Sequence, residues 1–304
     1  MTPVTWDAGR AARAAWEVFE TVHDVVYFTP EARAAADSLG MRGFWMGYVV
    51  LRAAPLGPIG PAAATAMFHG FHPDRIARAL PDGWTHATPD AALEARLRAA
   101  VEALRRLCAA ELDDARIAEA ADLAWRAAST VDVAGRPLTA ANRALPRPAD
   151  PLAALWQACT TLREHRGDGH VAVLVARGVG PVEAHVLKAA AGEADATLLR
   201  ESRRFSQAEW DAAIDALASW GWLDAPDALA PRGVEEHREI ERLTDRAAAT
   251  PWLAVGRDAT RRLIDLLTPL ADAIGAAGVI PDGNPTGLSR KPGRATTGRS
   301  YNEA

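Results

Sequence analysis

The chain has 304 residues, of which 49% are hydrophobic and 24% charged, and its formal net charge is −5. This composition is typical of a globular protein, and the negative charge excludes a global positive field that would recruit nucleic acid or an anionic membrane. No run of about 18 apolar residues is present, so we predict no membrane span. The first residues lack the apolar segment of a secretory signal. We therefore expect a cytoplasmic protein, with two domains at this length.

The spacing of hydrophobic residues is helical over most of the N-terminal half. Residues 5–28 place apolar and small side chains three and four apart and predict one long helix. That helix ends at Thr29-Pro30, because the residue before a proline is pushed out of the α region. The aromatic segment 44–48 follows among glycines, whose spacing predicts a close approach between helices. Four further helices are predicted over residues 59–71, 73–80, 90–108 and 113–129. The helix over 90–108 has one apolar face, formed by Leu93, Leu97, Val101, Leu104 and Leu107.

Prolines and a low apolar content mark residues 131–151 as a domain boundary. After it, a helix is predicted over 151–165, ended by a glycine turn at 166–169. Cys108 and Cys159 lie in helical patterns among apolar residues and are interpreted as buried free thiols. We assign an N-terminal helical domain to residues 1–136, a proline-rich linker to 137–150, a winged-helix-like domain with flanking helices to 151–280 and a disordered tail to 281–304.

The part of the chain after the linker has the element order of a winged helix-turn-helix. Ser206 and Glu209 form a capping box at the start of its third helix. A short turn between two apolar pairs then predicts a β-hairpin, which a further amphipathic helix follows. The elements are predicted over residues 171–177, 181–190, 206–220, 222–230 and 234–248. The predicted fold is therefore mainly α: an N-terminal helical bundle and a C-terminal winged helix-turn-helix with one short hairpin.

Several stretches carry a resemblance to known proteins. They are Tyr27-Phe28-Thr29-Pro30-Glu31, Arg52-Ala53-Ala54-Pro55-Leu56-Gly57, Leu162-Arg163-Glu164-His165-Arg166-Gly167-Asp168-Gly169-His170, and Thr244-Asp245 with Pro251-Trp252. Residues 160–250 resemble a MarR-type winged helix, and the chain before the tail resembles the actinobacterial helix-turn-helix proteins called SalK-like. The resemblance implies a connection with secondary metabolism and no particular activity.

The charges of the winged helix argue against DNA as its partner. Residues 206–220 contain no Arg or Lys and three acids, Glu209, Asp211 and Asp215. Residues 181–249 carry 14 acids against 8 basic residues, whereas neutralisation of phosphates supplies most non-specific affinity for DNA. The candidate DNA contacts are few: Arg200, Arg203, Arg204, Gln207 and Arg232.

The densest group of polar residues lies around the predicted glycine turn. Its ligand-binding candidates are Arg163, His165, Arg166, Asp168 and His170. A helix starting near His170 would offer free amides to an anion, and the alternative is that Asp168 caps that helix. The spacing of His165 and His170 fits no standard metal-ligand pattern, so no metal is predicted.

The N-terminal part offers a second group of candidates, which are His23, Tyr27, Tyr48, Arg52 and His69. His69 and His72 are three residues apart, as two ligands on one helix would be, but Pro73 ends that helix. Aromatic residues with a few polar groups are typical of a mostly apolar small-molecule pocket. No nucleotide loop or protease motif is present, and no cofactor is identified.

These observations favour a regulatory or accessory protein that binds a small organic ligand between its N-terminal bundle and its winged helix. One alternative is an enzyme of secondary metabolism that uses His23, His165 or His170 as a general acid or base or as a metal ligand. A second alternative is a MarR-like transcription regulator. Because winged-helix modules often dimerise through flanking helices, residues 234–278 are the candidate homodimer interface.

Overall fold

Fifteen α-helices and one two-stranded hairpin form the part of the chain that the computed structural model describes, residues 6–286 and 288. The predicted mainly α fold is confirmed. The helices of the N-terminal half are α1 (Ala8–Phe28), α2 (Pro30–Ser38), α3 (Gly43–Ala53), α4 (Pro61–Met67), α5 (Pro73–Ala77), α6 (Pro89–Leu107), α7 (Asp114–Ser129) and α8 (Pro137–Arg143). The remaining elements are α9 (Pro151–Ala176), α10 (Pro181–Ala190), α11 (Ala196–Arg203), α12 (Gln207–Ser219), β1 (Leu223–Ala225), β2 (Ala228–Leu229), α13 (Pro231–Ala247), α14 (Thr250–Val255) and α15 (Arg257–Ala276).

The helices α2 and α3 pack closely because glycine occupies position 47. A Cβ atom built on Gly47 would lie 2.6 Å from the Cβ of Ala36, which is closer than two carbon atoms can approach. The predicted close approach of helices at the aromatic segment is thus confirmed for this glycine. The approach brings the aromatic residues of α3 against the C-terminal end of α1, where Tyr27 and Tyr48 have ring centroids 5.1 Å apart.

Helix α9 runs without interruption through the predicted turn at 166–169, so that prediction was wrong. The reason lies in the tertiary packing around Gly169. A Cβ on Gly169 would lie 2.8 Å from Nη1 of Arg136 and 3.1 Å from the Cβ of Ala247. Glycine at this position therefore allows two neighbouring segments to approach α9, and it does not end the helix. One helix of 26 residues replaces the two that the sequence predicted.

The largest hydrophobic cluster joins helices from both sides of the predicted linker. It combines buried residues from 11–26, 100–131, 152–162 and 248–274. Part of the linker itself forms α8, which packs on α9 and buries Leu138.

Both cysteines are buried and free, as predicted. The division into two domains stays a prediction.

The winged helix-turn-helix is formed by α10, α11, α12, the hairpin and α13. Its core includes Leu174, Leu199, Trp210 and Leu217. The predicted capping box is present: Glu209 N–H donates to Ser206 Oγ, and Ser206 N–H donates to the Glu209 carboxylate at 2.8 Å. The two strands pair antiparallel, with Leu223 opposite Leu229 and Ala225 opposite Ala228.

The segments beyond the winged helix pack on their own chain. Helix α13 contacts α1 and α9, and α15 contacts α1 and α7, so residues 234–278 bury one face inside the protein. The beginning of the predicted tail is also packed: Asn284 is buried, and Nζ of Lys188 donates to the carbonyl oxygen of Pro285 at 2.8 Å. The rest of that predicted tail, residue 287 and residues 289–304, lies outside the described residues.

Candidate functional site

A cavity of about 310 Å³ lies between α1, α2, α3 and α9, and we call it the inner cavity. Most of its wall is apolar. Four residues that the sequence predicted as ligand-binding candidates meet there, and Arg96 of α6 and Glu164 of α9 join them. The four are His23, Tyr27, Tyr48 and Arg52.

His23 is held in one neutral form by its neighbours. The Thr160 hydroxyl donates to the carbonyl oxygen of Trp156 at 2.9 Å, so it can only accept from Nδ1 of His23, also at 2.9 Å. Nε2 of His23 is then unprotonated and accepts from the Tyr27 hydroxyl at 3.0 Å. Burial, with a contribution from Arg163, lowers the pKa of His23 well below its ordinary value. Tyr27 therefore keeps its oxygen lone pairs for an additional donor.

The polar end of the inner cavity is a buried ion pair. Arg52 donates twice to the Glu164 carboxylate, from Nε at 3.1 Å and from Nη2 at 3.0 Å, and Arg163 donates to the same carboxylate at 2.9 Å. Burial alone would raise the pKa of Glu164, but Arg163 and Arg52 hold it below its ordinary value, so the group is ionised. Nη1 of Arg52 also donates to the Tyr48 oxygen at 3.2 Å, which leaves the Tyr48 hydroxyl hydrogen available to a ligand.

Arg96 is a buried cation that has no ion pair among the described residues. Its guanidinium donates to the Leu51 carbonyl oxygen at 3.2 Å and to the Asn142 side chain at 3.3 Å, and its Nε has no hydrogen-bond partner. It lies 5.4 Å from the ring centroid of Trp156. Burial lowers the pKa of Arg96 to about 10, so it remains charged at neutral pH. The inner cavity thus has more positive than negative charge.

A second cavity of about 230 Å³, the outer cavity, lies between α3, α11 and residues 281–286. It shares Tyr27, Phe28, Phe44 and Tyr48 with the inner cavity, so the two are adjacent. Phe44 and Leu198, each 42% exposed, lie at its opening to solvent. No local sequence pattern reveals this cavity, because α3 and α11 are more than 140 positions apart.

Arg203, predicted as a DNA contact, is directed into the outer cavity. Its guanidinium lies 4.1 Å from the ring centroid of Phe71 and 5.8 Å from that of Trp45. No carboxylate pairs with it among the described residues, and its Nε has no hydrogen-bond partner. Burial lowers the pKa of Arg203 to about 10, so this side chain too remains a cation.

A third cavity of about 310 Å³, the polar cleft, lies between α1, α9, α10 and α13. Its charged groups largely pair with one another: Arg166 donates to Asp245 at 2.7 Å, and Arg13 contacts both Asp245 and Glu241. His170 contacts the Thr244 hydroxyl at 2.9 Å, and burial lowers the pKa of His170 to about 4. Arg166 and His170 therefore lie apart from the inner cavity, while Arg163 reaches the polar cleft and the outer cavity.

The remaining candidates of the 163–170 group lie on other faces of the continuous helix α9. His165 is buried with no partner at Nε2, and burial lowers its pKa to about 3. Asp168 does not cap a helix starting near His170. It instead accepts from the Thr139 amide at 2.8 Å and hydroxyl at 2.7 Å, which caps α8. The group predicted as one site is therefore spread around the helix.

His69 and His72, whose spacing in the sequence suggests a pair, have separate surroundings in the structure. His69 lies in the connection between α4 and α5 and lines none of the three cavities. His72 caps α5 and lies 3.3 Å from the Glu209 carboxylate. No cluster of three or more His, Cys, Asp or Glu suited to a metal ion occurs within residues 6–286 and 288.

Asp24 of α1 is a buried carboxyl group that no sequence pattern marks as a site residue. It is fully buried, and neither carboxylate oxygen has a hydrogen-bond partner. Burial, reinforced by nearby Glu20, raises the pKa of Asp24 well above its ordinary value. Arg163 and Lys188 act in the opposite direction without reversing the shift. The folded protein therefore holds this proton to a higher pH than the unfolded chain does.

The outward face of α12, the recognition helix of the module, is acidic. Asp211 and Asp215 are exposed, and Gln207 donates to Asp211 at 2.7 Å. Arg200 pairs with its neighbour Glu201. The exposed arginines among the predicted DNA contacts are Arg204 and Arg232.

The fold and the order of α10 to α13 define a helix-turn-helix protein. The sequence matches the model of a helix-turn-helix family over residues 12–281, and the chain belongs to that family. No curated protein matches it. No solved structure matches it either. Among the described residues, no helix is both long and apolar enough to cross a membrane.

Proposed function

We propose that this chain is a regulatory or accessory helix-turn-helix protein that binds a small, mostly apolar organic molecule in the inner cavity. The observation that carries the proposal is the meeting of His23, Tyr27, Tyr48 and Arg52 around one apolar space of about 310 Å³. Pockets of this size, with a few fixed polar groups in an apolar wall, are typical of small-molecule sites. The link to secondary metabolism rests on the resemblance to SalK-like proteins.

The contacts between the N-terminal helices and the helix-turn-helix support a regulatory role. The amide of His72 donates to the carbonyl oxygen of Arg203 at 3.2 Å, and Arg75 donates to that of Glu201 at 3.0 Å. The C-terminal end of α11 is thus hydrogen-bonded to the N-terminal end of α5. Helix α11 also forms part of the outer cavity. The outer cavity adjoins the inner cavity, so a ligand that reaches from one into the other would contact α11 and act on the position of the module.

The enzyme alternative has less support from the geometry. His23, His165 and His170 lie in the inner cavity, in the packed interior beside Arg136 and in the polar cleft, respectively. Burial lowers the pKa of each, so none is poised near neutral pH as a general acid or base. A homodimer through residues 234–278 stays a prediction.

Filling the inner cavity is expected to abolish ligand binding. Ala32 lines it from α2, so Ala32→Phe places an aromatic ring in the space that a ligand would use. We expect the neutral fluorophore N-phenyl-1-naphthylamine to bind the unaltered protein at one saturable site, and Ala32→Phe to weaken this binding at least about tenfold. Ala34→Phe, the same change at an exposed position of α2, is the matched control and should bind within about twofold of the unaltered protein. Unchanged binding by a folded Ala32→Phe protein, or no binding by any of the three, contradicts the proposal.

DNA binding is the second candidate function, and membership of a helix-turn-helix family favours it. The exposed acids of α12 oppose phosphate contact, so we expect no retardation of genomic DNA fragments in gel-shift assays at low salt. The double variant Asp211→Arg, Asp215→Arg should show non-specific retardation, which demonstrates that the assay responds to this face. A retarded band that resists non-specific competitor DNA would establish DNA binding instead.

A further inference from the structure

We propose that the outer cavity binds the acidic group of an aromatic organic anion, with Arg203 as its counter-ion. This inference rests on the proposed function and specifies the class of ligand. The aromatic body of the ligand would extend from the outer cavity along the wall that it shares with the inner cavity.

The charges that line the outer cavity favour an anion. Two guanidinium groups, Arg163 and Arg203, line it, and no described carboxylate does. Arg163 already has two partners, Glu20 at 3.2 Å and Glu164 at 2.9 Å. Arg203 has neither an ion pair nor a side-chain hydrogen bond among the described residues. Arg203 is only partly exposed to solvent, and charged groups that are largely removed from water are normally paired in proteins. An anion in this cavity would supply such a partner for Arg203.

The walls of the outer cavity favour an aromatic ligand. Five aromatic side chains line it. Four of them, Tyr27, Phe28, Phe44 and Tyr48, also line the inner cavity, and the fifth is Trp45. Aromatic faces stack favourably on a planar ligand. The exposed apolar residues Phe44 and Leu198 at the opening would be covered when a ligand enters.

The position of Arg203 connects this cavity with the recognition helix. Arg203 is the last residue of α11, and Ser206 caps α12 three residues later. Arg204 between them has a left-handed backbone conformation, with φ of 71°, so the connection is short and fixed. An anion that draws the Arg203 side chain toward it therefore acts directly on the junction between α11 and α12.

Two fluorophores that share one aromatic framework test the proposal. 1-Anilinonaphthalene-8-sulfonate is an anion, and N-phenyl-1-naphthylamine is its neutral counterpart. We expect Arg203→Gln to weaken binding of the anion about tenfold, as loss of a charge-assisted hydrogen bond does, and to leave the neutral probe within about twofold. Arg203→Lys should retain most of the binding of the anion. Arg204→Gln, which removes the neighbouring exposed charge, should leave both probes unaffected.

The outcomes separate this inference from the proposed function. If Arg203→Gln weakens both probes equally, or neither, then Arg203 is not the counter-ion and the inference fails, while ligand binding itself stands. If neither probe binds the unaltered protein, the proposed function fails and the inference with it. Circular dichroism of each variant identifies any that does not fold. If Arg203→Gln does not fold, Arg203→Lys decides: equal weakening of both probes by this variant overturns the proposal.

Discussion

Replacing Glu164 with glutamine is expected to lower the free energy of unfolding by about 3–5 kcal/mol, the range found when one partner of a buried ion pair is removed. Glu164 is 2% exposed and accepts hydrogen bonds from Arg52 and Arg163. A neutral amide at this position leaves the Arg52 guanidinium without a carboxylate partner among the described residues, while Arg163 keeps only Glu20. The loss should exceed that of most single substitutions.

Urea unfolding of the variant and the unaltered protein at neutral pH measures this difference. Glu102→Gln is the matched control, because Glu102 is an exposed glutamate on α6, and it should change stability by less than about 0.5 kcal/mol. A loss below about 1 kcal/mol for Glu164→Gln would mean that solvent in the inner cavity screens the two arginines, and the site would not be the buried pair described above.

The second large effect concerns Asp24, whose replacement by asparagine is expected to stabilise the protein increasingly as the pH rises. In the folded state burial raises the pKa of Asp24, so the folded protein holds a proton that the unfolded chain releases. Where the folded pKa is above the unfolded value, stability is full at low pH and falls as the pH rises between the two values. The loss is about 1.4 kcal/mol for each pH unit in that interval. Asparagine does not titrate, so the variant does not lose stability in this way as the pH rises.

Thermal or urea unfolding between pH 4 and pH 8 tests this prediction. The difference between Asp24→Asn and the unaltered protein should be small near pH 4 and increase as the pH rises. Asp265→Asn, a change at an exposed position of α15, should give a difference that does not depend on pH. A constant difference for Asp24→Asn would show instead that Arg163 and Lys188 keep the carboxylate ionised in the folded protein.

The sequence predicted those elements that local rules define. Ser206 and Glu209 specify the start of α12 by themselves, and the mainly α architecture follows from periodicity. The glycines of α9 show where local rules fail. Gly169 is typical of a helix end, but Arg136 and Ala247 occupy the space where its side chain would lie, and both are distant in sequence. Tertiary packing thus overrides the local preference of glycine.

The candidate site was predictable only in part, for a similar reason. His23 and Tyr27 are one helical turn apart and could be paired from spacing alone. The leucines of 90–108 form the apolar face that the sequence predicts, but the most deeply buried positions of that helix are mainly alanines. Arg96 lies among these alanines, four residues after Ala92 and four before Ala100. This spacing places Arg96 on the buried face of the helix and could have identified it as a buried arginine. The position of Arg203 in the outer cavity could not be predicted. No local sequence pattern distinguishes an arginine that points into a cavity from one that contacts a DNA phosphate.

Helix α9 joins regions of the protein that the sequence assigned to separate sites. Glu164 lies at the inner cavity, and Leu174, ten residues or about 15 Å further along, belongs to the core of the winged helix. No glycine turn or proline interrupts the helix between them. A continuous helix is stiff. A small tilt of α9 caused by the contents of the inner cavity would therefore also displace the winged helix, whose core contains Leu174 of α9. Helix α9 ends at Ala176, and the backbone turns at Arg177 and Gly178, where φ of Gly178 is 69°, which makes this turn the nearest pivot for the module.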